Sequence, residues 1–357
     1  MARSSTTYQS KWKSGQTTVI RVPIRHVSEL LRYAHQLDGI GHYDLRESPA
    51  GYRTAADFEM TKPVNVATVP HRSPFRYPGG KTWLVPYIRS WLANRNSRLN
   101  ILIEPFAGGG ISGLTAGFEN LADHIILVER DSNVAAVWHT ILSGQADWLA
   151  NRILDFKLSR ENVNAILCRE PQTQREKAFA VILRNRVQRG GIMAPGAGLV
   201  KTGENGRGLH SRWYPETLAR RIREIAATRD KFTFIEGDGF EIIHRYADDE
   251  NAAFFVDPPY TVASRRLYPH WQIDHRKLFA LLANIKGDVL LTYDNTREIS
   301  SLASEFGFNT KAITMKNTHH ARMTELLIGK DLSWLRSKAN GRESATRIAQ
   351  EILAFHP

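Results

Sequence analysis

A single cysteine, Cys168, stands in a chain of 357 residues. One thiol excludes a disulfide framework and a zinc site built from thiolates. Long apolar runs are also missing, and none approaches the roughly 18 apolar residues that a membrane-spanning helix requires. Acids are scarce beside bases, 36 against 48, which leaves a formal charge of +12. That surplus favours a polyanionic partner, nucleic acid ahead of a membrane surface. The shortage is sharpest at the start, where the first acid after Met1 is Glu29. An acid-poor, Ser/Thr-rich beginning also fits an organelle transit peptide, but a solvated tail is the simpler account and the cytoplasm the expected compartment.

Against these absences stands one compact motif, Asp257-Pro258-Pro259-Tyr260, entered from the apolar run Ala252-Ala253-Phe254-Phe255-Val256. An apolar run of this kind reads as a buried parallel strand. Proline lacks an N–H and fixes its own φ, so the strand must stop at Asp257. The result is a stiff corner at a strand's carboxyl end, the edge where open α/β sheets bind ligands. It offers a carboxylate, the Pro258 carbonyl and the Tyr260 ring. Two acceptors and a stacking face suit a flat heterocycle with an exocyclic amino group. Taken alone, the same four residues also describe an ordinary strand-ending turn with an acidic cap.

Two glycine turns precede it. Phe75-Arg76-Tyr77-Pro78-Gly79-Gly80-Lys81 opens a helix through Trp83, Leu84, Tyr87, Ile88 and Trp91, with Lys81 suited to a carboxylate or phosphate. Ile101-Leu102-Ile103-Glu104 is a strand running through Pro105 and Phe106 into Gly108-Gly109-Gly110, and Ile125-Ile126-Leu127-Val128-Glu129 is a second strand ending in an acid. This is the pattern of a nucleoside site, in which glycines admit the cofactor and the acid accepts from ribose hydroxyls. Gly108, Gly110 and Gly113 also satisfy G-x-G-x-x-G, so NAD and S-adenosyl-L-methionine (SAM) both remain open here. Phe232-Thr233-Phe234-Ile235-Glu236 reads as a third strand. After it, Asp238 either accepts from a cofactor adenine, with Phe240 on the ring, or caps the following helix.

The rest of the chain frames these motifs. Residues 1–70 read as an appendage with a short strand over 17–23 and a helix over 27–37, loosely resembling half of a ribbon-helix-helix unit. Between strands two and three, 135–231 forms a mainly helical insert. Its helix over 178–187 carries Arg186, and a glycine-rich stretch carries Arg189, Lys201, Arg207, His210 and Arg212. Basic residues on such a loop suit contacts to phosphates, and a solvated surface loop is the alternative. Strand five is Val289-Leu290-Leu291-Thr292-Tyr293-Asp294, Glu325-Leu326-Leu327-Ile328-Gly329 suits a late antiparallel strand, and 333–357 suggests a helical tail. The alternation predicts an α/β fold with a mostly parallel sheet covered on both faces.

In order and spacing, these motifs over 72–332 resemble the Dam-like N6-adenine DNA methyltransferases. The resemblance includes Asn185-Arg186 followed by a glycine, Trp213-Tyr214-Pro215-Glu216 before a helix, and Asp294 after strand five. It implies a class I SAM-dependent methyltransferase, Rossmann-like with one antiparallel strand, with a catalytic domain over 71–134 and 232–332 and 135–231 as target-recognition region. By the same resemblance, Tyr77 and Lys81 line the methionine end of SAM, Phe106, Gly108 and Gly110 form its loop, Glu129 holds the ribose, and Asp238 and Phe240 hold its adenine. Asp257, Pro258, Pro259 and Tyr260 form the pocket for an adenine flipped out of double-stranded DNA, with no metal required. The insert lacks an aromatic-rich reading pattern, which leaves the target sequence open. Transfer to cytosine N4 or an RNA adenine, a nicotinamide oxidoreductase and a silent DNA-binding module are the competing readings.

Overall fold

The computed structural model describes residues 64, 66–76, 80–95, 99–193, 197–203, 206–259, 273–316 and 322–335. The chain divides into two compact units, Met1–Phe58 and Glu59–Pro357, and all described residues belong to the second. The strand expected over 17–23, the helix over 27–37 and most of the tail lie outside the described residues, as do Tyr77 and Tyr260.

Among the described residues seven strands form one sheet: β1 (Ile101–Glu104), β2 (His124–Glu129), β3 (Phe232–Glu236), β4 (Ala252–Val256), β5 (Asp288–Asp294), β6 (Asn309–Lys316) and β7 (Arg322–Gly329). Their order is β3-β2-β1-β4-β5-β7-β6. The first five run parallel, and β7 is antiparallel to both of its neighbours. This mixed sheet bears out the mostly parallel α/β sheet expected from the alternation of elements, and β7 is the single antiparallel strand that the resemblance implied. The order reverses between β1 and β4, and at such a switch point the carboxyl ends of neighbouring strands open a ligand crevice.

Burial accounts for the parallel part. All five residues of β4 are buried, as a strand covered on both faces requires. One face is covered by α8 (Gly239–Arg245), α9 (His275–Ala283) and α10 (Arg297–Glu305), whose Ile243, Phe279 and Ile299 pack with Ile103, Phe254 and Leu291. On the other face lie α1 (Val85–Ala93) and α2 (Ile111–Phe118). Gly113 of α2 rides so close to the sheet that an added Cβ would meet Leu127 at 2.7 Å and Ile125 at 2.9 Å. Among the described residues no helix is long and apolar enough to cross a membrane.

Among the described residues five α-helices fill the interval between β2 and β3: α3 (Ser132–Leu142), α4 (Ala146–Leu154), α5 (Arg160–Leu167), α6 (Gln174–Val187) and α7 (Pro215–Ala227). Their starts are written in the sequence. Asp131 and Ser159 cap α3 and α5, and Thr173 forms a capping box with Glu176 at α6. Each such cap is worth about 1 kcal/mol. Pro215 sits at the first position of α7, where its missing N–H costs nothing. The second half of α6 is buried almost all round, from Ala178 to Leu183 and again at Asn185, Arg186 and Val187, which makes it the centre of this helical layer.

Candidate active site

The proline corner follows β4 at the switch point, and the sheet register explains how its acid is held. Val256 pairs with Leu291, which brings Asp257 beside Thr292 of β5. The Thr292 hydroxyl, itself fully buried, donates to Asp257 Oδ1 at 2.8 Å. Lys81 approaches the same oxygen, with Nζ 3.1 Å from Oδ1 and 3.5 Å from Glu325 Oε2 on β7. Lys81 and Glu325 are each only 5% exposed, whereas the Asp257 side chain keeps 24% of its surface open. A buried ammonium is tolerated only when paired, so Lys81 and the two acids form one unit. Among the described residues both donors converge on Oδ1, which leaves the carboxylate's second oxygen as an acceptor for a ligand. Pro258 behind it is buried and contributes a backbone carbonyl to the corner.

Beside the corner, β1 delivers Glu104, 3% exposed, whose Oε2 accepts from the Gly113 N–H at 2.8 Å. Burial, reinforced by the charge of Asp257, pushes its carboxyl up to about 8, so it is mainly protonated at neutral pH. The glycine loop after it is tightly clasped. Gly108 and Gly110 have φ of +48° and +61°, the left-handed region that glycine enters without strain. Trp138 Nε1 of α3 donates to the Gly108 carbonyl at 2.9 Å, and a Cβ on Gly110 would come within 2.9 Å of the same indole. Glu129, at the end of β2, accepts from Gly108 N through Oε2 at 2.9 Å and from Asp131 N through Oε1 at 2.8 Å. Burial pushes its carboxyl up to about 7.

The third strand's end closes the row. Asp238 caps α8, its Oδ1 accepting from Phe240 N at 2.9 Å, so the capping alternative holds for that oxygen; Oδ2 lies 3.7 Å from Arg130. Phe240 meets Phe106 edge-on at 6.2 Å, and both rings are half-buried. Phe106, Gly108, Gly110, Glu129, Asp238 and Phe240 therefore occupy the adjoining carboxyl ends of β1, β2 and β3, and Asp257 the end of β4.

The basic residues of the insert separate into two sets. Arg189, Lys201 and Arg207 are exposed, and the Arg207 guanidinium lies 5.6 Å over the ring of Tyr214, itself 47% exposed. Arg212 is partly covered. Arg186 is not on the surface: 8% exposed, it donates through Nη2 to the Pro74 carbonyl at 2.7 Å. Three participants were not foreseen from sequence: Thr292, Glu325 and Trp138. Glu325 carried a signal, a charge opening the otherwise apolar segment Leu326-Leu327-Ile328. Thr292 and Trp138 carried none without the sheet order.

No family model matches the chain, and no curated protein matches it. Solved structures similar to it include the rRNA methyltransferase aviRa from Streptomyces viridochromogenes, 13% identical over 83% of this chain and 96% of that one, with a TM-score of 0.33. Another is precorrin-6y C5,15-methyltransferase from Geobacter metallireducens, 8% identical over 67% of this chain and 84% of that one, with a TM-score of 0.29.

Proposed function

We propose that this chain is a site-specific DNA methyltransferase that moves a methyl group from SAM to the N6 nitrogen of a flipped-out adenine. The observation that carries the reading is the Asp257 carboxylate at the switch point, anchored through one oxygen by Lys81 and Thr292. A carboxylate held by one oxygen presents the other in a fixed place, which an amino-group acceptor needs and a structural cap does not.

The neighbouring crevice fits the cofactor. Gly108 and Gly110 adopt left-handed turns that glycine enters without strain, which shapes the loop at the end of β1, and Glu129 offers carboxylate oxygens at the end of β2. The half-buried pair Phe106 and Phe240 provides faces for an adenine. When bound, SAM supplies an electrophilic methyl group on a sulfonium. Adenine N6 is a poor nucleophile because its lone pair is delocalised into the ring. Donation of its two N–H bonds to Asp257 and the Pro258 carbonyl favours a pyramidal nitrogen with a localised pair, aimed for in-line displacement. Positioning and electrostatics then provide most of the acceleration. Stacking on Tyr260 and contacts to phosphates offset the cost of extruding the base, a few kcal/mol.

The test is transfer of labelled methyl from SAM to duplex DNA, to the same sequence as RNA, and to no nucleic acid. Label recovered as N6-methyladenine in DNA is the expected result, with Asp257→Ala inactive but still binding SAM. Label found only in RNA or on cytosine would transfer the reading to that substrate. SAM binding weaker than NADH binding would end it.

A further inference from the structure

Gly108 is held at both of its backbone polar groups by side chains. Its N–H donates to Glu129 Oε2 at 2.9 Å, and its carbonyl accepts from Trp138 Nε1 at 2.9 Å. Trp138 belongs to α3, the first helix after β2, and is fully buried. Its ring stacks on Phe234 of β3 with centroids 6.4 Å apart and lies tilted 6.3 Å from Phe75. It also fills the space that a Cβ on Gly110 would need, 2.9 Å away. An indole packed on three sides is locked in place, so its N–H is a fixed donor. The other amides of the loop are spent as well: Ala107 N donates to the Val128 carbonyl and Gly110 N to the Ala107 carbonyl. Gly109 is the exception. It is partly exposed, and its N–H donates to none of the described residues.

A trans peptide is planar, and its C=O and N–H point in opposite directions. The peptide joining Gly108 to Gly109 is trans. Trp138 pins the carbonyl side of that plane towards α3, which turns the Gly109 N–H away from the helix. An open, oriented amide at the carboxyl end of β1 is a donor waiting for a ligand oxygen. We propose that Trp138 is a positioning residue for the cofactor, fixing the Gly108–Gly109 peptide so that the Gly109 N–H donates to an oxygen of bound SAM. This role rests on the cofactor reading given above. It also makes the helical insert part of the cofactor site, because the residue that sets the loop is carried by α3.

The experiment uses the full chain and two substitutions that divide the ring from its N–H. Benzothienylalanine in place of Trp138 keeps the shape of the indole and puts sulfur where the N–H was. Phe234→Leu keeps the donor and removes the ring stacked on it. Both lower the unfolding temperature, the first by stranding the Gly108 carbonyl and the second by loosening the core. Calorimetric titration with SAM separates them: the isostere binds about tenfold more weakly, and Phe234→Leu stays within about twofold of wild type. In methyl transfer the isostere's loss falls on KM for SAM rather than on kcat. Wild-type affinity in the isostere, or equal weakening by Phe234→Leu, overturns the positioning role and leaves Trp138 a core residue. A wild type that prefers NADH to SAM overturns this role and the cofactor reading together. SAM binding that depends on the Trp138 N–H, with no methyl recovered in any nucleic acid, supports the role and sinks only the proposed reaction.

Discussion

Asn185 binds Arg76 as one strand binds another, its amide accepting from the backbone N–H at 2.8 Å and donating to the carbonyl at 2.9 Å, with a further bond to the Gly191 carbonyl at 3.0 Å. Gly191, with φ of +76°, is pressed so close that a Cβ would sit 2.3 Å from the Arg76 carbonyl oxygen. The helical insert between β2 and β3 thus holds the segment around Arg76, five residues before Lys81. Asn185→Ala strands backbone groups that water cannot easily reach, and we expect it to lower unfolding free energy by about 3 kcal/mol. A urea midpoint shifted by less than about 1 kcal/mol equivalent would show that this tie carries no weight.

Lys81→Met leaves Asp257 and Glu325 close together without their shared ammonium. The expected losses are about 3 kcal/mol of stability and at least roughly a hundredfold in methyl-transfer rate. Adding Glu325→Gln should recover stability more than rate, because Asp257 still lacks its anchor. Urea melts and single-turnover transfer measure the two separately; recovery of both together would mean that Lys81 serves only the fold.

Glu104 gives the protein an inverted acid response. Its carboxyl holds a proton in the folded state up to about 8, against 4.5 ordinarily. Between those values the folded chain binds the extra proton, so raising pH favours the unfolded state, by about 1.4 kcal/mol per unit for this group. Stability therefore falls from pH 5 towards pH 8 along this component, and Glu104→Gln, neutral throughout, should flatten that slope. Melts across the range that superimpose for both proteins would remove Glu104 from the response.

Glu129→Gln replaces a carboxylate that accepts two backbone N–H groups with an amide that offers one oxygen. The Gly108 turn loses its anchor, and affinity for SAM should fall by about tenfold in calorimetry. Unchanged affinity would place the ribose hydroxyls elsewhere.

The strands were legible because their apolar runs end in abrupt polar marks: Glu104, Glu129, Asp257 and Asp294 each close a strand at or next to its last residue. β6, Asn309–Lys316, was not, since its alternating polar residues suit a sheet edge and lack an apolar run. The site showed a similar division. The glycine loop and proline corner announce themselves through backbone requirements that few residues meet. The support for Asp257 depends on which strand lies beside which, so Thr292 and Glu325 became visible only with the register. Lys81 was read as a partner for a ligand's anionic group, and the carboxylates found on it are the chain's own.

Glu325 lies on the sheet's one reversed strand, and through Lys81 it touches the acid at the proline corner. The closing hairpin is therefore more than a lid on the sheet's edge. Trimming the protein from its C-terminal side through β7 would strip a counter-charge from the lysine that holds Asp257 from behind. On the proposed reading, shortened versions that still fold would fail at methyl transfer while the glycine loop and Glu129, on the opposite half of the sheet, stayed intact.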